Sequence, residues 1–381
     1  MFRKTIALLT AALITIPFSA CGKTAAEEST AAAAEVTAAA ETVAETTAAA
    51  AAETTAAVPA GFAEDKDALI EAYSGVFEEK TFTDPDTGLS ITYHVYLPEN
   101  YDESGSFPMV VFIADSSCAG SDASKSLTQG RGALVWASDE WQAAYPSIVA
   151  VPTYPEVILD DHGSYTTTEY VELTKRFIDC MAAEYAVDAD RIYGTGQSMG
   201  CMTTLILASE YPGLYAGCMF VDGQWDITTL KGLEEQTFVY FAAEDDTNAW
   251  NGAQEVMEMF DADSVSYVYA RWDGTWSPEQ LSAAAAELFA ADEDRYFISW
   301  ETGTIEPKSG AGGGGGFGGP GAGGSGFGGP AAGESGSGLS GSAPSGAAPE
   351  GGVNSSSYHM ASFDYAYNCA AVIEWLFRQE N

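Results

Sequence analysis

Gly196-Gln197-Ser198-Met199-Gly200 is the segment of this sequence with the most direct chemical meaning. A G-x-S-x-G spacing sets a serine on a sharp strand-to-helix turn with its hydroxyl projecting. Glycines on either side remove the side chains that would crowd such a backbone. The helix N-terminus that follows turns backbone N–H groups toward developing negative charge, which makes the Met199 N–H a candidate oxyanion donor. Together these features equip Ser198 for nucleophilic acyl transfer.

A serine hydroxyl needs a base, and the chain has three histidines. His94 falls in an early strand and reads as a solvent-facing residue. His162, in Asp160-Asp161-His162-Gly163, reads as a loop residue that could line a pocket. His359 is expected to follow the last strand and precede the closing helix, where it can reach a serine at the end of a central strand. An acid must orient it and stabilise its cationic form. Glu244-Asp245-Asp246 follows the apolar run Phe238–Phe241, and of these Asp246 is the first choice and Asp245 the second. No metal or organic cofactor is needed for this chemistry, and no cysteine pair has metal-site spacing.

The elements that must hold these residues can be read from periodicity. Val76–Thr83 and Leu89–Leu97 flank Asp84-Pro85-Asp86-Thr87-Gly88, which predicts a β-hairpin. Met109–Ile113 and Ser147–Val151 are continuous apolar runs, as buried parallel strands require. Thr167–Tyr185 has helical spacing, Arg191–Tyr193 is a short strand, and Met199–Tyr211 is a helix stopped by Pro212. Strands at Tyr215–Val221, Thr237–Phe241, Ser264–Ala270 and Tyr296–Trp300 alternate with helices at Gly252–Phe260 and Pro278–Ala290. An α/β fold follows, with a mostly parallel sheet, an N-terminal antiparallel hairpin and helices on both faces.

Two stretches lie outside this pattern. Residues 21–62 are mostly Ala, Thr and Glu, and residues 309–352 are dominated by Gly, Ser, Pro and Ala. Neither offers enough apolar surface to offset the entropy of ordering, so the first is expected to be a tether and the second a disordered insertion. The second would interrupt a catalytic domain over 63–381, at low cost because loop-closure entropy grows slowly with length. Residues 1–20 have a charged start at Arg3-Lys4, a short apolar core and small residues before Cys21, as in a bacterial lipoprotein signal peptide. Cys21 would then carry lipid and anchor the protein at the outer face of the cell membrane. A formal charge of −40 at pH 7 argues against nucleic-acid partners.

These residues resemble bacterial secreted esterases of the polyhydroxybutyrate-depolymerase and feruloyl-esterase type, which overlap prolyl-oligopeptidase-like α/β hydrolases. The similarity is carried by Asp190-Arg191-Ile192-Tyr193 leading into Gly196–Gly200, by Gly223-Gln224-Trp225-Asp226, by Glu244-Asp245-Asp246, by His359-Met360 and by Trp375–Gln379. It implies an α/β-hydrolase fold, with Ser198 as nucleophile, Asp246 as orienting acid and His359 as general base. The order Ser, acid, His is the order of that fold. Gln224 and Trp225 are candidate pocket residues. The family's usual His-Gly pair after the first core strand is replaced here by Ala114-Asp115-Ser116-Ser117, which leaves a backbone N–H near Ser116 as the second oxyanion donor. The expected activity is cleavage of a carboxylic ester on a polysaccharide, polyester or small molecule. Two alternatives are a serine peptidase of prolyl-oligopeptidase type and a non-catalytic cell-surface binding protein on the same scaffold.

Overall fold

A computed structural model describes residues 65–308 and 355–381. The expected signal peptide, Cys21, the tether and the Gly-rich insertion lie outside the described residues. Helix α1 (Lys66–Tyr73) leads into β1 (Glu78–Thr83) and β2 (Ser90–Tyr96), the antiparallel hairpin read from the sequence. Then follow β3 (Phe107–Ile113), the short helices α2 (Lys125–Thr128) and α3 (Asp139–Ala144), and β4 (Ile148–Thr153). A two-stranded excursion, β5 (Leu159–Asp160) and β6 (Thr166–Thr167), precedes α4 (Glu169–Glu184). Next come β7 (Val187–Gln197), α5 (Met199–Glu210), β8 (Gly217–Val221) and β9 (Phe238–Ala243). The chain continues through α6 (Thr247–Asp263), β10 (Val268–Trp272), α7 (Pro278–Phe289) and β11 (Arg295–Trp300). It ends with α8 (Ser355–Ala366) and α9 (Ala370–Leu376).

Nine strands form one sheet in the order β1-β2-β4-β3-β7-β8-β9-β11-β10. Pairs involving β2 are antiparallel, and every pair from β4 to β10 is parallel. Alternate residues of each central strand therefore feed two separate cores. Val110, Phe112, Val149, Val151, Val221 and Phe241 pack with Trp136, Trp141 and the α8–α9 segment on one face. Met109, Val111, Ile113, Phe220 and Tyr240 pack with α4, α5 and α6 on the other. This is why β3, β4, β8 and β9 read as unbroken apolar runs.

The mostly parallel sheet with helices on both faces is the α/β architecture expected. One expectation needs correction. His94 is buried, 6% exposed, because Phe77 and Tyr96 carry the core over that face of β2. Its Nε2 lies 3.6 Å from Glu79, and burial lowers its pKa, against the pull of that carboxylate. His359 follows the last strand and precedes the closing helix, α9, as expected, and it sits inside a further helix, α8, that the sequence reading did not place. Among the described residues, no helix is long and apolar enough to cross a membrane.

Candidate active site

Parallel strands end on one edge of the sheet, so β7, β8, β9 and β11 deliver their following residues to a common place. β7 runs to Gln197, and Ser198 turns the chain into α5 with φ 52° and ψ −118°. That left-handed φ is costly for a residue with a Cβ and persists only where neighbours impose it. Here they do. A Cβ on Gly200 would stand 1.8 Å from the Ile113 carbonyl oxygen, and one on Gly196 would stand 2.4 Å from the Gly200 carbonyl carbon. The Ser198 N–H is held by the Val221 carbonyl at 3.1 Å, which ties the turn to the end of β8. The Ser198 side chain lies almost buried at the head of α5.

Asp246 and His359 are brought together from distant parts of the chain. Asp246 follows β9, is 4% exposed, and its carboxylate is hydrogen-bonded to His359 Nδ1. Ser355 at the start of α8 donates toward the other Asp246 oxygen at 3.5 Å, and the His359 ring packs edge-on against Phe363. Burial lowers the pKa of His359, but the Asp246 hydrogen bond and charge, to which the Asp115 charge adds, outweigh it and leave it raised. Asp245 is engaged elsewhere, accepting from the Gly303 N–H at 2.7 Å. Glu244 is occupied by Arg271, Ser299 and Thr302, and its pKa falls to about 2 chiefly through the Arg271 hydrogen bond. Only Asp246 of the acidic triplet holds the imidazole.

The loop after β3 packs directly on α5 through Gly200. Asp115 is buried and caps a 3-10 turn, Ser116–Cys118, by accepting from the Ser117 N–H at 2.8 Å. Its second oxygen accepts from Gln197 Nε2 at 3.2 Å, so the carboxylate points at the residue before the nucleophile. Ser116 opens that turn, and Met199 and this loop line one small cavity with Ala114, Cys118 and Tyr154. Met199 thus lines this cavity, whereas Ser116 itself does not.

Gln224 and Trp225 follow β8. Gln224 donates to Asp161, and Trp225 is buried with its ring edge-on to Tyr165 at 5.2 Å. Both contacts fasten the β5–β6 excursion to the loop beside Ser198. His162 is exposed on that excursion, 3.1 Å from both Asp160 and Asp161. These three side chains are the one group among the described residues with ligand atoms near enough for an ion, all within 4.8 Å of one another.

Sequence reasoning missed Asp222 and Ser362. Asp222 directly follows β8, with φ 45°, and is fully buried. Its Oδ1 accepts from the Ala243 N–H at 2.7 Å, and its Oδ2 is hydrogen-bonded to Ser362 on α8. An acid standing directly after a continuous apolar strand was the available signal, since parallel strands end at the site.

Residues 85–265 match the Esterase family. Acetylxylan esterase A of Emericella nidulans is 28% identical over 108 residues, covering 24% of this chain and 36% of that protein. The crystal structure of a thermostable esterase superposes with a TM-score of 0.55 at 21% identity, over 81% of this chain and 64% of that one. The chain thus spans about a third of the curated relative and less than two thirds of the solved structure. By these matches the chain has the α/β-hydrolase fold, and the part of it that carries Ser198 matches the Esterase family.

Proposed function

We propose that this chain is a serine esterase that works through an acyl-enzyme, anchored by lipid on Cys21 at the outer face of a bacterial membrane. Ser198 attacks the ester carbonyl while His359 takes its proton through Nε2, and Asp246 holds the imidazole at Nδ1. Negative charge on the carbonyl oxygen is met by the N–H of Met199 and a backbone N–H near Ser116. His359 then returns its proton to the departing alcohol. In the second half-reaction a water, deprotonated by the same imidazole, releases the acid. The observation that carries this reading is the strained Ser198, at the same sheet edge as a hydrogen-bonded Asp246–His359 pair. A polysaccharide-linked ester is the favoured substrate class, supported by the relative named acetylxylan esterase. Gln224 and Trp225 would border the bound ester.

The test is hydrolysis of p-nitrophenyl acetate and butyrate by the full-length protein beside Ser198→Ala, with a fluorophosphonate label. Turnover and labelling that both disappear in Ser198→Ala are expected. Folded protein that shows neither would leave the chain a binding protein on this scaffold. Release of acetate from acetylated xylan then separates polysaccharide esters from small ones.

A further inference from the structure

We propose that Asp222 is a neutral carboxylic acid in the folded protein, a positioning residue that donates to Ser362 so that Ser362 can hold the backbone of His359. The argument begins with one hydroxyl. Ser362 Oγ is hydrogen-bonded to Asp222 Oδ2 and stands 2.9 Å from the His359 carbonyl oxygen. Both groups are acceptors when Asp222 is ionised, yet a serine hydroxyl has a single proton to donate. Ser362 and Asp222 are each fully buried in the fold. With a proton on Asp222 Oδ2 every bond is made. The acid donates to Ser362 Oγ, Ser362 donates to the His359 carbonyl, and Asp222 Oδ1 still accepts from Ala243.

The surroundings favour the same state. Asp246 on the loop after β9 and His359 on α8 are the charged groups that face Asp222. Cys201 on α5, Tyr240 on β9 and Tyr367 beyond α8 also face it, each with its pKa raised by burial and so neutral. None of the five is Lys or Arg. Burial, then the Asp246 charge, raises the Asp222 pKa to about 7, against His359, Ser362 and Ala243, which lower it. Two adjacent carboxylates in one buried site do not ionise together. A neutral Asp222 leaves Asp246 as the carboxylate that answers the imidazolium.

The geometry links three pieces of the site. Asp222 follows Val221, whose carbonyl holds the Ser198 N–H. Ala243 lies three residues before Asp246, and Ser362 lies one helical turn after His359. Its kinetic consequence rests on His359 being the general base, as proposed above; its protonation state does not.

The experiment uses the full chain as wild type, Asp222→Asn, Asp222→Ala and Ser362→Ala. Infrared difference spectra at pH 6 should show the carbonyl stretch of a protonated carboxyl in wild type and its loss in Asp222→Asn. An unchanged band region would mean an ionised Asp222 and would overturn the proposal, however brisk the turnover. The band is read without substrate, so its presence supports the neutral acid even if ester hydrolysis fails. On p-nitrophenyl acetate, Asp222→Ala should lower kcat roughly ten- to a hundredfold with KM little changed, as expected for leaving buried hydrogen-bonding groups unpaired. Asp222→Asn should recover most of that loss, because its amide donates to Ser362 and accepts from Ala243. Ser362→Ala should lower kcat about tenfold. An Asn variant as impaired as the Ala variant would also overturn the proposal.

Discussion

At His359, burial and charge pull in opposite directions, and charge prevails. In the proposed mechanism the imidazole must be neutral in the free enzyme to take the Ser198 proton, so a raised pKa delays activity on the acid side. The acidic limb of kcat/KM should have its midpoint above the ordinary 6.5 of histidine. Asp115→Asn removes one of the charges that raise it and should move this limb to lower pH; an unmoved limb would show that Asp115 is not felt at the imidazole. Asp246→Asn should lower kcat by about 10⁴, the scale seen when a triad acid can no longer hold the correct tautomer. Asp245→Asn, which loses only the Gly303 contact, should be mild by comparison. Asp222 makes a thermodynamic prediction of its own. An acid whose pKa is raised from 3.8 to about 7 binds its proton more tightly when folded, so its contribution to stability is present at low pH and lost as pH rises through about 7. Asp222→Asn does not titrate, so urea midpoints should show it gaining on wild type from about pH 4 to about pH 7 and level above that. A constant difference across that range would contradict the raised pKa.

The elements that hold these residues depend on a few close approaches. Helix α5 can begin beside β3 only because Gly200 has no side chain. Gly200→Ala should cost about 3 kcal/mol or more, as overpacking does where backbone is the obstacle, visible as a fall in the urea midpoint. A wild-type midpoint would mean that the elbow can shift without cost. The β–α alternation from β3 to β11 was legible because two-faced burial leaves continuous apolar runs, and Pro212 and Ser277-Pro278 punctuate the helices. β7 was read too short at its start, since Val187–Asp190 are partly or fully exposed and two of the four are Asp. The helical setting of His359 was hidden for a different reason. The buried positions of α8 are Ser357, Ala361, Ser362, Phe363 and Ala366, small and mixed in polarity, so no apolar stripe marks it. His94 misled because strict alternation places it with Thr92 and Tyr96, whereas that face is covered. Ser198 and the Asp246–His359 pairing were readable from spacing and chain order. Asp222 was not singled out, because its role exists only once β8, β9 and α8 are side by side.

For the whole molecule, the largest departure from a compact hydrolase is the stretch between Lys308 and Ser355. Its two ends meet. The Lys308 N–H donates to the Ser357 carbonyl at 3.2 Å, Lys308 Nζ pairs with Asp364 at 3.1 Å, and the Glu306 N–H donates to the Tyr365 hydroxyl at 3.1 Å. Replacing residues 309–354 by a short Gly-Ser linker should therefore keep turnover within about threefold. Closure of a flexible loop costs about 0.6 kcal/mol for each doubling of length, so shortening should leave the melting temperature equal or slightly higher. A collapse of activity with an intact fold would instead give the insertion a part in the reaction. The hydrogen bonds that join Glu306 and Lys308 to α8 act as a clasp on the helix that carries His359. The register of the imidazole is set at that point, so a change in the length or composition of residues 309–354 should leave it in place. By the same reasoning residues 309–354 could be exchanged for a reporter or a binding module spliced into the chain while the histidine keeps its seat.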